Sequence, residues 1–412
     1  MKKILLSMAA ILAMSTAALT AANVTDFPNP VITAMPALNI TPDARAAGLG
    51  EIGASTAPDL NSQRWNPAKY AYMESHGGLT ANYTPWLRSL VNDIDLAYLS
   101  GYYKWDDVQG IGASFTYFSY GEVFMRSSSA AEGEYDMTCR PNEWALDVSY
   151  YRKLHEYVSM SVALRFMYSD LNNGKNQSTS SAADEMFPAW TMAGDIGLYY
   201  KQPIELPMGT SYFNLGFTLQ NMGGKMSWKQ HAAGTDNFIP TSFRIGASYE
   251  LPIDKYNAIT FSVEATKLMV PTKYRSNLSS KFDPNDERTW ELNEYEFSDI
   301  SPIKGFFQSL CDAPAAKGYN ALEEFQEVLW GAGIEYTYNR QFFARVGFSY
   351  EDINKGNRRL VDFGAGFHLS IVNFDVSYTI AATSGFNPLN NTLRFTLGFD
   401  LAGIKDLVNN KK

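Results

Sequence analysis

The side chains best suited to acid, base or metal chemistry are few in this sequence and far apart. Its four histidines, His76, His155, His231 and His368, show no His/Cys/carboxylate spacing typical of a metal site. No serine occurs in the G-x-S-x-G pattern of a nucleophile elbow. The sequence therefore predicts no catalytic residue, no metal site and no cofactor. A hydrolase whose Ser/His pair assembles only in the fold is left as an alternative.

Cys139 and Cys311 are the only two cysteines of the chain. In an oxidising compartment an even number of cysteines favours a disulfide, whereas two unpaired thiols are the other possibility. Both cysteines lie in segments that we assign below to the outer face of the molecule. A possible disulfide between two loops is therefore allowed, and the sequence does not decide between the two states.

Charged side chains recur on the polar side of alternating segments. Arg394 and Asp400 fall between leucines and phenylalanines in residues 391–401, and Arg345 does so in residues 341–350. In a strand that crosses a membrane, an arginine facing lipid at mid-depth would cost about 2–4 kcal/mol, so these charges must face an interior. There they can pair with one another, which predicts a structural charge network rather than a catalytic one.

Strict alternation of apolar and polar residues predicts the elements that position these charges. A period of two over nine or more residues is typical of a strand with one apolar and one polar face. About fourteen such segments occur over residues 77–401. Strands of about 9–11 residues can cross a bilayer, and only a closed barrel satisfies their backbone groups in lipid. We therefore expect an all-β, transmembrane antiparallel barrel of about 14 strands.

The connections between the predicted strands alternate in length. Every second connection is short, as in residues 104–107 and 201–208, whereas the others include residues 119–142 and 268–326. Short periplasmic turns and long extracellular loops are the rule for outer-membrane barrels. In the longest loop, Ser301 and the proline after it suit the N-cap and first turn of a helix. We therefore expect long, structured extracellular loops.

The two ends of the chain differ from the barrel in composition. Residues 1–22 carry two lysines, an apolar run and small residues at a cleavage site, which predicts a signal peptide for export by the Sec pathway. Residues 23–76 do not alternate and contain several prolines, so we expect an N-terminal plug segment inside the barrel, with Thr41 as the cap of a short helix. Residues 402–412 are expected to form a polar periplasmic tail. The formal net charge of −9 argues against nucleic acid as a partner.

Several short motifs lie ahead of the first predicted strand and at its end. They are Asn29-Pro30-Val31-Ile32-Thr33-Ala34, Thr41-Pro42-Asp43-Ala44-Arg45-Ala46-Ala47-Gly48, Ala57-Pro58-Asp59, Asn61-Ser62-Gln63-Arg64-Trp65-Asn66-Pro67-Ala68-Lys69-Tyr70-Ala71 and Tyr83-Thr84-Pro85-Trp86-Leu87-Arg88. Together these motifs resemble the PorV family, outer-membrane proteins of the type IX secretion system. The step Trp65-Asn66-Pro67-Ala68 and the plugged barrel place that family in the wider FadL-like group. The likeness is specific over residues 29–120.

The resemblance to PorV implies a carrier rather than an enzyme or a pore. Proteins of that family are understood to dock beside the outer-membrane translocon and to bind the C-terminal signal domain of secreted cargo. They then pass the cargo to an attachment complex that contains PorU, PorQ and PorZ. The resemblance thus implies these partners and a place in the outer membrane of a Gram-negative bacterium. A FadL-like channel for hydrophobic small molecules is the alternative.

Protein interfaces favour aromatic and methionine side chains within a polar rim, which selects three groups of loop residues. The candidates for partner binding are Trp86 and Leu87 in the first outer loop, Phe124 and Met125 in the second, and Phe306, Phe307 and Leu310 in the fifth. Simple packing at the barrel rim is the alternative for each of them. Membrane lipids should surround the apolar face. Arg126 and the run Asn357-Arg358-Arg359 either touch lipopolysaccharide phosphates or stay solvated.

Overall fold

The structure is a computed structural model that describes residues 30–125, 137–172, 186–229, 236–272, 299–312, 314–315, 318–319, 321–369, 371–383 and 387–401. The signal peptide expected at residues 1–22 and the tail expected at residues 402–412 lie outside the described residues. Arg126, one of the two basic positions considered for lipopolysaccharide, lies outside them as well.

Strands dominate the described part of the chain. In chain order they are β1 (Gly77–Pro85), β2 (Asp95–Lys104), β3 (Gln109–Ser119), β4 (Val123–Met125), β5 (Met137–Cys139), β6 (Asn142–His155), β7 (Val158–Asp170), β8 (Ala189–Leu206), β9 (Gly209–Gly223), β10 (Ser242–Pro252), β11 (Asn257–Leu268), β12 (Pro314–Ala315), β13 (Gly318–Tyr319), β14 (Val328–Tyr338), β15 (Phe342–Tyr350), β16 (Arg359–Leu369), β17 (Val372–Ala381) and β18 (Thr392–Asp400). Strands β4 and β5 pair with each other, as do β12 and β13, and the other fourteen form one closed antiparallel barrel. The predicted fold class is confirmed.

The barrel closes where its last strand meets its first. Strand β18 pairs with β1, with Leu79 opposite Phe399 and Ala81 opposite Leu397. Most apolar side chains of the strands point outward and most polar ones inward, with inward exceptions such as Leu96 and Tyr98 of β2. In β18, Leu393 exposes 39% of its surface whereas Arg394 exposes 1%. This alternation places apolar side chains against lipid and hydrogen-bonding side chains in the interior, as a membrane barrel requires.

Short helices lie in the N-terminal segment and in the longest outer loop. They are the 3-10 helices Pro36–Asn39 and Pro67–Tyr72, and the α-helices α1 (Ala44–Ala47), α2 (Ser62–Trp65), α3 (Pro302–Gln308) and α4 (Ala321–Gln326). Helix α3 begins as expected, with the hydroxyl of Ser301 accepting a hydrogen bond from the N–H of Lys304. Among the helices of the described residues, none is long and apolar enough to cross a membrane.

The hairpin of β8 and β9 extends further than expected. The sequence predicts a turn at residues 201–208, but β8 continues to Leu206, although its pairing with β7 ends at Tyr200. The N–H of Lys201 donates to the carbonyl of Tyr157, so the nitrogen of Pro203, two residues on, faces the same open edge. A proline has no N–H to leave unpaired there, which makes it compatible with an edge strand. The turn lies at residues 207–208, inside the predicted range, and is shorter than predicted because the strand tolerates Pro203.

Residues 30–76, which we call the inner segment, run through the barrel interior. The N–H of Ala44 donates to the hydroxyl of Thr396, and one carboxylate oxygen of Glu264 accepts from the N–H groups of Gly53 and Ala54 at 3.0 and 2.8 Å. The hydroxyl of Ser159 donates to the carbonyl of Ala68. Inward-facing polar side chains of the strands therefore satisfy the backbone of a segment with little regular structure of its own.

Candidate functional site

Trp65 is the largest of the fully buried side chains in the inner segment. It exposes 1% of its surface, and its indole N–H donates to the carboxylate of Asp43 at 2.7 Å. The guanidinium groups of Arg64 and Arg244 lie 5.3 and 5.0 Å from its ring centroid. Gly53 leaves room for the ring, since a Cβ at that position would lie 2.3 Å from it. The motif residue therefore acts as an internal anchor.

The Asn66-Pro67-Ala68 step turns the inner segment toward the barrel wall. The side-chain amide of Asn66 donates to the carbonyls of Ala54 and Leu198 at 3.1 and 2.9 Å, and its oxygen accepts from the N–H of Ala68. Pro67 begins the 3-10 helix that follows. An asparagine can both cap a turn and donate to two carbonyls, which explains why the motif requires this residue type.

A chain of ion pairs crosses the middle of the lumen. Glu335 of β14 accepts hydrogen bonds from Arg45 of the inner segment and from Arg345 of β15. Arg45 also pairs with Asp59 at 2.8 Å, and Arg345 with Asp375 at 2.5 Å. The sequence predicts an inward-facing charge at Arg345, but it does not indicate that Arg45 bridges the inner segment to the wall.

Arg394 forms a second connection between the wall and the inner segment. Its guanidinium donates to the carbonyl of Thr41 at 3.0 Å and to the hydroxyl of Thr379 at 2.7 Å, and it pairs with Glu51. Helix α1 is capped by Asp43, whose carboxylate accepts from the N–H of Ala46. The expectation that Thr41 caps this helix is therefore wrong, since Thr41 instead supplies its carbonyl to the barrel wall.

The two ends of the longest outer loop meet in a cluster of charges that we call the neck cluster. Its members are Lys267, Thr272, Asp312, Glu324, Glu327 and Lys355. Glu327 accepts from the ammonium groups of Lys267 and Lys355 at 2.7 and 3.1 Å. Oxygens of the three carboxylates lie within 4.8 Å of one another, but two lysines occupy this site, so the geometry assigns it to ion pairing.

Burial and ion pairing shift the pKa values of two carboxyl groups in the neck cluster in opposite directions. It raises the pKa of the Asp312 carboxyl to about 7, against the hydrogen bond that this group accepts from the N–H of Thr272. Burial would also raise the pKa of Glu327, but the ammonium of Lys267 outweighs it and lowers that pKa. Near neutral pH, Asp312 is therefore the titrating member of the cluster while Glu327 stays ionised.

The candidate residues of the first outer loop are partly covered. Trp86 packs against a cluster that contains Ala37 of the inner segment and Phe118 of β3. Leu87 is half-buried with φ at +51°. Trp86 thus has the packing role that the sequence left as the alternative, and partner binding by Leu87 stays a prediction. Two residues that we did not select are exposed in the same loop, Leu90 by 54% and Val91 by 41%.

Helix α3 presents an apolar face to the outside. Phe307 exposes 65% of its surface and Leu310 46%, whereas Phe306 is half-buried. Ile303, which we did not select, exposes 75%. Gly305 on the opposite side packs against Phe238, and a Cβ there would lie 2.6 Å from that ring. The spacing of Ile303, Phe307 and Leu310 at i, i+4 and i+7 is the signal that could have identified the full face.

The second outer loop contributes a separate exposed aromatic residue. Phe124 exposes 61% of its surface at the start of the hairpin formed by β4 and β5. The backbone of Met125 pairs with that of Met137 in this hairpin. The structure therefore places the aromatic candidate of this loop at the outer face, apart from helix α3 in sequence and in the order of strands around the barrel.

The two cysteines do not form the possible disulfide between loops, and the arginines of the run at residues 357–359 contact protein groups. No disulfide joins Cys139, which is buried, to Cys311, which is exposed. Arg358 lies 3.4 Å from Glu351 and 3.8 Å from Glu51, so its charge is directed to carboxylates of the protein. The guanidinium of Arg359 lies over the ring of Tyr350.

Taken together, a closed fourteen-stranded barrel with outward apolar residues and an interior lined by charge is the architecture of an outer-membrane protein. A profile of the family described as Type IX secretion system protein PorV matches residues 23–275. The chain belongs to this family. It is therefore an outer-membrane component of the type IX secretion system, a non-enzymatic kind of protein.

Known structures add a likeness in fold. A TodX deltaS2S3 mutant, described as a monoaromatic hydrocarbon channel, is 11% identical and covers 87% of this chain and 98% of its own, with a TM-score of 0.51. The Pseudomonas putida toluene transporter TodX is 10% identical, covers 90% and 97%, and has a TM-score of 0.47. A Pseudomonas aeruginosa FadL homologue is 10% identical, covers 90% and 99%, and has a TM-score of 0.41. The comparison with curated proteins gave no match.

Proposed function

We propose that this protein is a carrier that binds the C-terminal signal domain of secreted cargo at the outer-membrane translocon. It then delivers the cargo to a cell-surface attachment complex with PorU, PorQ and PorZ. The observation that carries the proposal is the apolar face of helix α3, where Ile303, Phe307 and Leu310 expose 75%, 65% and 46% of their surfaces. An exposed apolar group of this kind on an outer loop is typical of a surface that meets another protein.

The lumen supports a carrier better than a pore. The inner segment acts as a plug, held by the bonds of Arg45 to Glu335 and of Arg394 to Glu51. Groups that are paired inside a protein in this way do not offer a continuous polar path to a solute. The surface on which cargo can act is therefore the outer mouth, and Phe124 extends it on the second loop.

The experiment that tests the proposal removes the gene and follows proteins that carry C-terminal signal domains. We expect them to accumulate in the periplasm, and we expect the intact protein, purified from detergent extracts, to recover the translocon and cargo. Normal surface display in the deleted strain would contradict the carrier function. Complementation with the wild-type gene, which should restore display, controls for effects on neighbouring genes.

A channel for hydrophobic small molecules is the second candidate, because the similar fold of the TodX mutant belongs to a monoaromatic hydrocarbon channel. It predicts that the purified protein retains a fatty acid or a detergent molecule inside the barrel. Native mass spectrometry of the protein in a volatile detergent would detect such a ligand. A ligand bound in the lumen, together with normal cargo display after deletion, would favour the channel over the carrier.

A further inference from the structure

The start of the inner segment lies among the outer loops. The N–H of Ala34 donates to the carbonyl of Phe238 at 2.7 Å, and Val31 packs against the cluster of Phe238 and Val270. Phe238 belongs to the connection between β9 and β10, and Val270 follows the outer end of β11. Ile32 exposes 56% of its surface. These residues therefore lie at the mouth that carries the long loops.

The end of the inner segment lies at the opposite mouth. The ammonium of Lys104 donates to the carbonyl of Met73 at 2.9 Å, and its backbone N–H donates to the carbonyl of His76 at 2.7 Å. Lys104 is the last residue of β2, where a short turn leads to β3. The ring of Tyr70 stacks on that of Tyr102, with 4.5 Å between centroids. Short turns mark the periplasmic side of such barrels.

Residues between these ends contact the barrel wall at several depths. Ala37 packs with Leu96, the second residue of β2 at its outer end. Further along, Arg45 reaches Glu335 within β14, and Ala68 accepts from Ser159, the second residue of β7 at its periplasmic end. The segment thus starts at the outer mouth and ends at the inner one, but it folds back between them. Leu60 lies against Gly78 at the periplasmic end of β1, and the carbonyls of Arg64 and Trp65 then accept from Gln220 near the outer end of β9.

We propose that the inner segment enters the barrel from the cell-surface side and threads it to the periplasmic mouth, where it reverses into β1. Residues Pro30–Ile32 are then part of the cell surface, although the first barrel strand starts in the periplasm. In consequence, the outer surface near helix α3 includes the beginning of the inner segment, because Val31 and Gly305 both contact Phe238. This proposal does not depend on cargo binding.

The two halves of the threaded segment are held by different forces. The outer end is held by the apolar packing of Val31 and the backbone bond of Ala34, whereas charged side chains hold Arg45 and Glu51 in the middle. Losing one partner of a buried ion pair costs far more free energy than losing a small apolar contact. A protein bound at the outer mouth can therefore shift residues near Val31 without releasing the middle of the segment.

Single-cysteine labelling of whole cells tests this arrangement. The background is Cys311→Ser, in which the remaining Cys139 is buried. Ile32→Cys and Met208→Cys are a matched pair, since the wild-type residues expose 56% and 55% of their surfaces and Met208 lies in the periplasmic turn between β8 and β9. The probe is a charged maleimide that does not cross the outer membrane, applied to intact and to lysed cells.

We expect Ile32→Cys to be labelled on intact cells to the same extent as after lysis, and Met208→Cys to be labelled only after lysis. The native chain, through exposed Cys311, is the positive control for the outer side. Labelling of Ile32→Cys only after lysis would overturn the proposal. Pro30→Cys is the second variant, because Pro30 is also exposed. The proposal would equally be overturned if neither variant reacted on intact cells under conditions in which the native chain is labelled at Cys311.

Discussion

The middle of the lumen and the outer mouth hold their residues by opposite means. In the middle, Glu335 is bound by two guanidinium groups, and its side chain exposes 6% of its surface. At the mouth, helix α3 turns Ile303 and Phe307 to the outside, where they expose 75% and 65%. Charge is thus buried and paired where the chain must not move, and apolar surface is exposed where a partner can cover it.

The two regions differ in which substitutions they can tolerate. A buried charge that loses its partner leaves an unsolvated ion, so the middle of the lumen depends on every member of its network. An exposed apolar residue contributes little to the folded chain alone, so the mouth can change its side chains while the barrel stays intact. The same protein therefore separates the residues that keep it folded from those that define its surface.

The largest expected effect is in the lumen. Replacing Glu335 by alanine leaves Arg45 and Arg345 without this carboxylate, and the loss of a buried partner costs about 3–5 kcal/mol of unfolding free energy. Urea unfolding of the purified barrel, followed by tryptophan fluorescence, measures it. Glu74→Gln is the control, because Glu74 and its partner Arg340 are both exposed. Equal losses in the two variants would remove the distinction between the lumen and the exposed surface.

A backbone contact in the lumen should have the next largest effect. Gly50 has a φ of +81°, and a Cβ there would lie 2.6 Å from the carbonyl oxygen of Phe348. Gly50→Ala should therefore destabilise the barrel by about 1–3 kcal/mol for the backbone strain alone. Gly194→Ala is the control, since its Cβ would meet nothing closer than 3.7 Å. Thermal unfolding in detergent compares them, and an unchanged midpoint for Gly50→Ala would show that the segment can move away from the wall.

The outer mouth should respond in binding rather than in stability. In Ile303→Asp/Phe307→Asp, charge replaces the apolar face, and the loss of an interface anchor costs about 2 kcal/mol, or roughly 30-fold in affinity. Titration of the purified barrel with a recombinant C-terminal signal domain measures the affinity, and unfolding should be unchanged. Met208→Asp, an exposed periplasmic position, should bind like wild type. Wild-type affinity in the double variant would exclude helix α3 as the docking face.

The neck cluster should give the smallest effect, which depends on pH. Because burial raises the pKa of Asp312 from 3.8 to about 7, the folded cluster favours the protonated acid. Its stability is then greatest below pH 3.8 and falls until the pH passes about 7. Asp312→Asn should remove this dependence of stability on pH. At pH 8 the N–H of Thr272 should exchange more slowly in the variant than in wild type, with little difference at pH 5. Hydrogen exchange of the peptide around Thr272 measures it, and a pH dependence that survives in Asp312→Asn would contradict the assignment.

The barrel could be predicted because its pattern is local. Leu393 and Arg394 fall on opposite faces because successive side chains of a strand point to opposite sides. The same alternation of apolar and polar residues recurs along the strands and can be read from neighbouring residues. The β8–β9 hairpin has a shorter turn than the sequence predicts, because Pro203 and Pro207 are typical of turns. Only the pairing of the neighbouring strands shows that β7 begins at Val158, opposite Tyr200, and so leaves Pro203 on an open edge.

The candidate site could be predicted only in part. Phe307 and Leu310, two candidates for partner binding, are exposed, but Trp86 packs against a cluster that contains Ala37, which lies 49 positions earlier in the chain. An aromatic residue in a loop has the same local sequence whether it faces solvent or a distant segment. Its exposure is decided by what the fold brings next to it.

The sequence by itself determined the alternating strands, the inward direction of the charges and the family likeness in the N-terminal motifs. Each of these depends on residues that are close together in the chain. The tertiary structure alone decided that Arg45 pairs with Glu335, that Arg394 holds Thr41, and that the inner segment runs from the outer mouth to the inner one. These facts join residues that are up to several hundred positions apart, and closing the barrel is what brings them into contact.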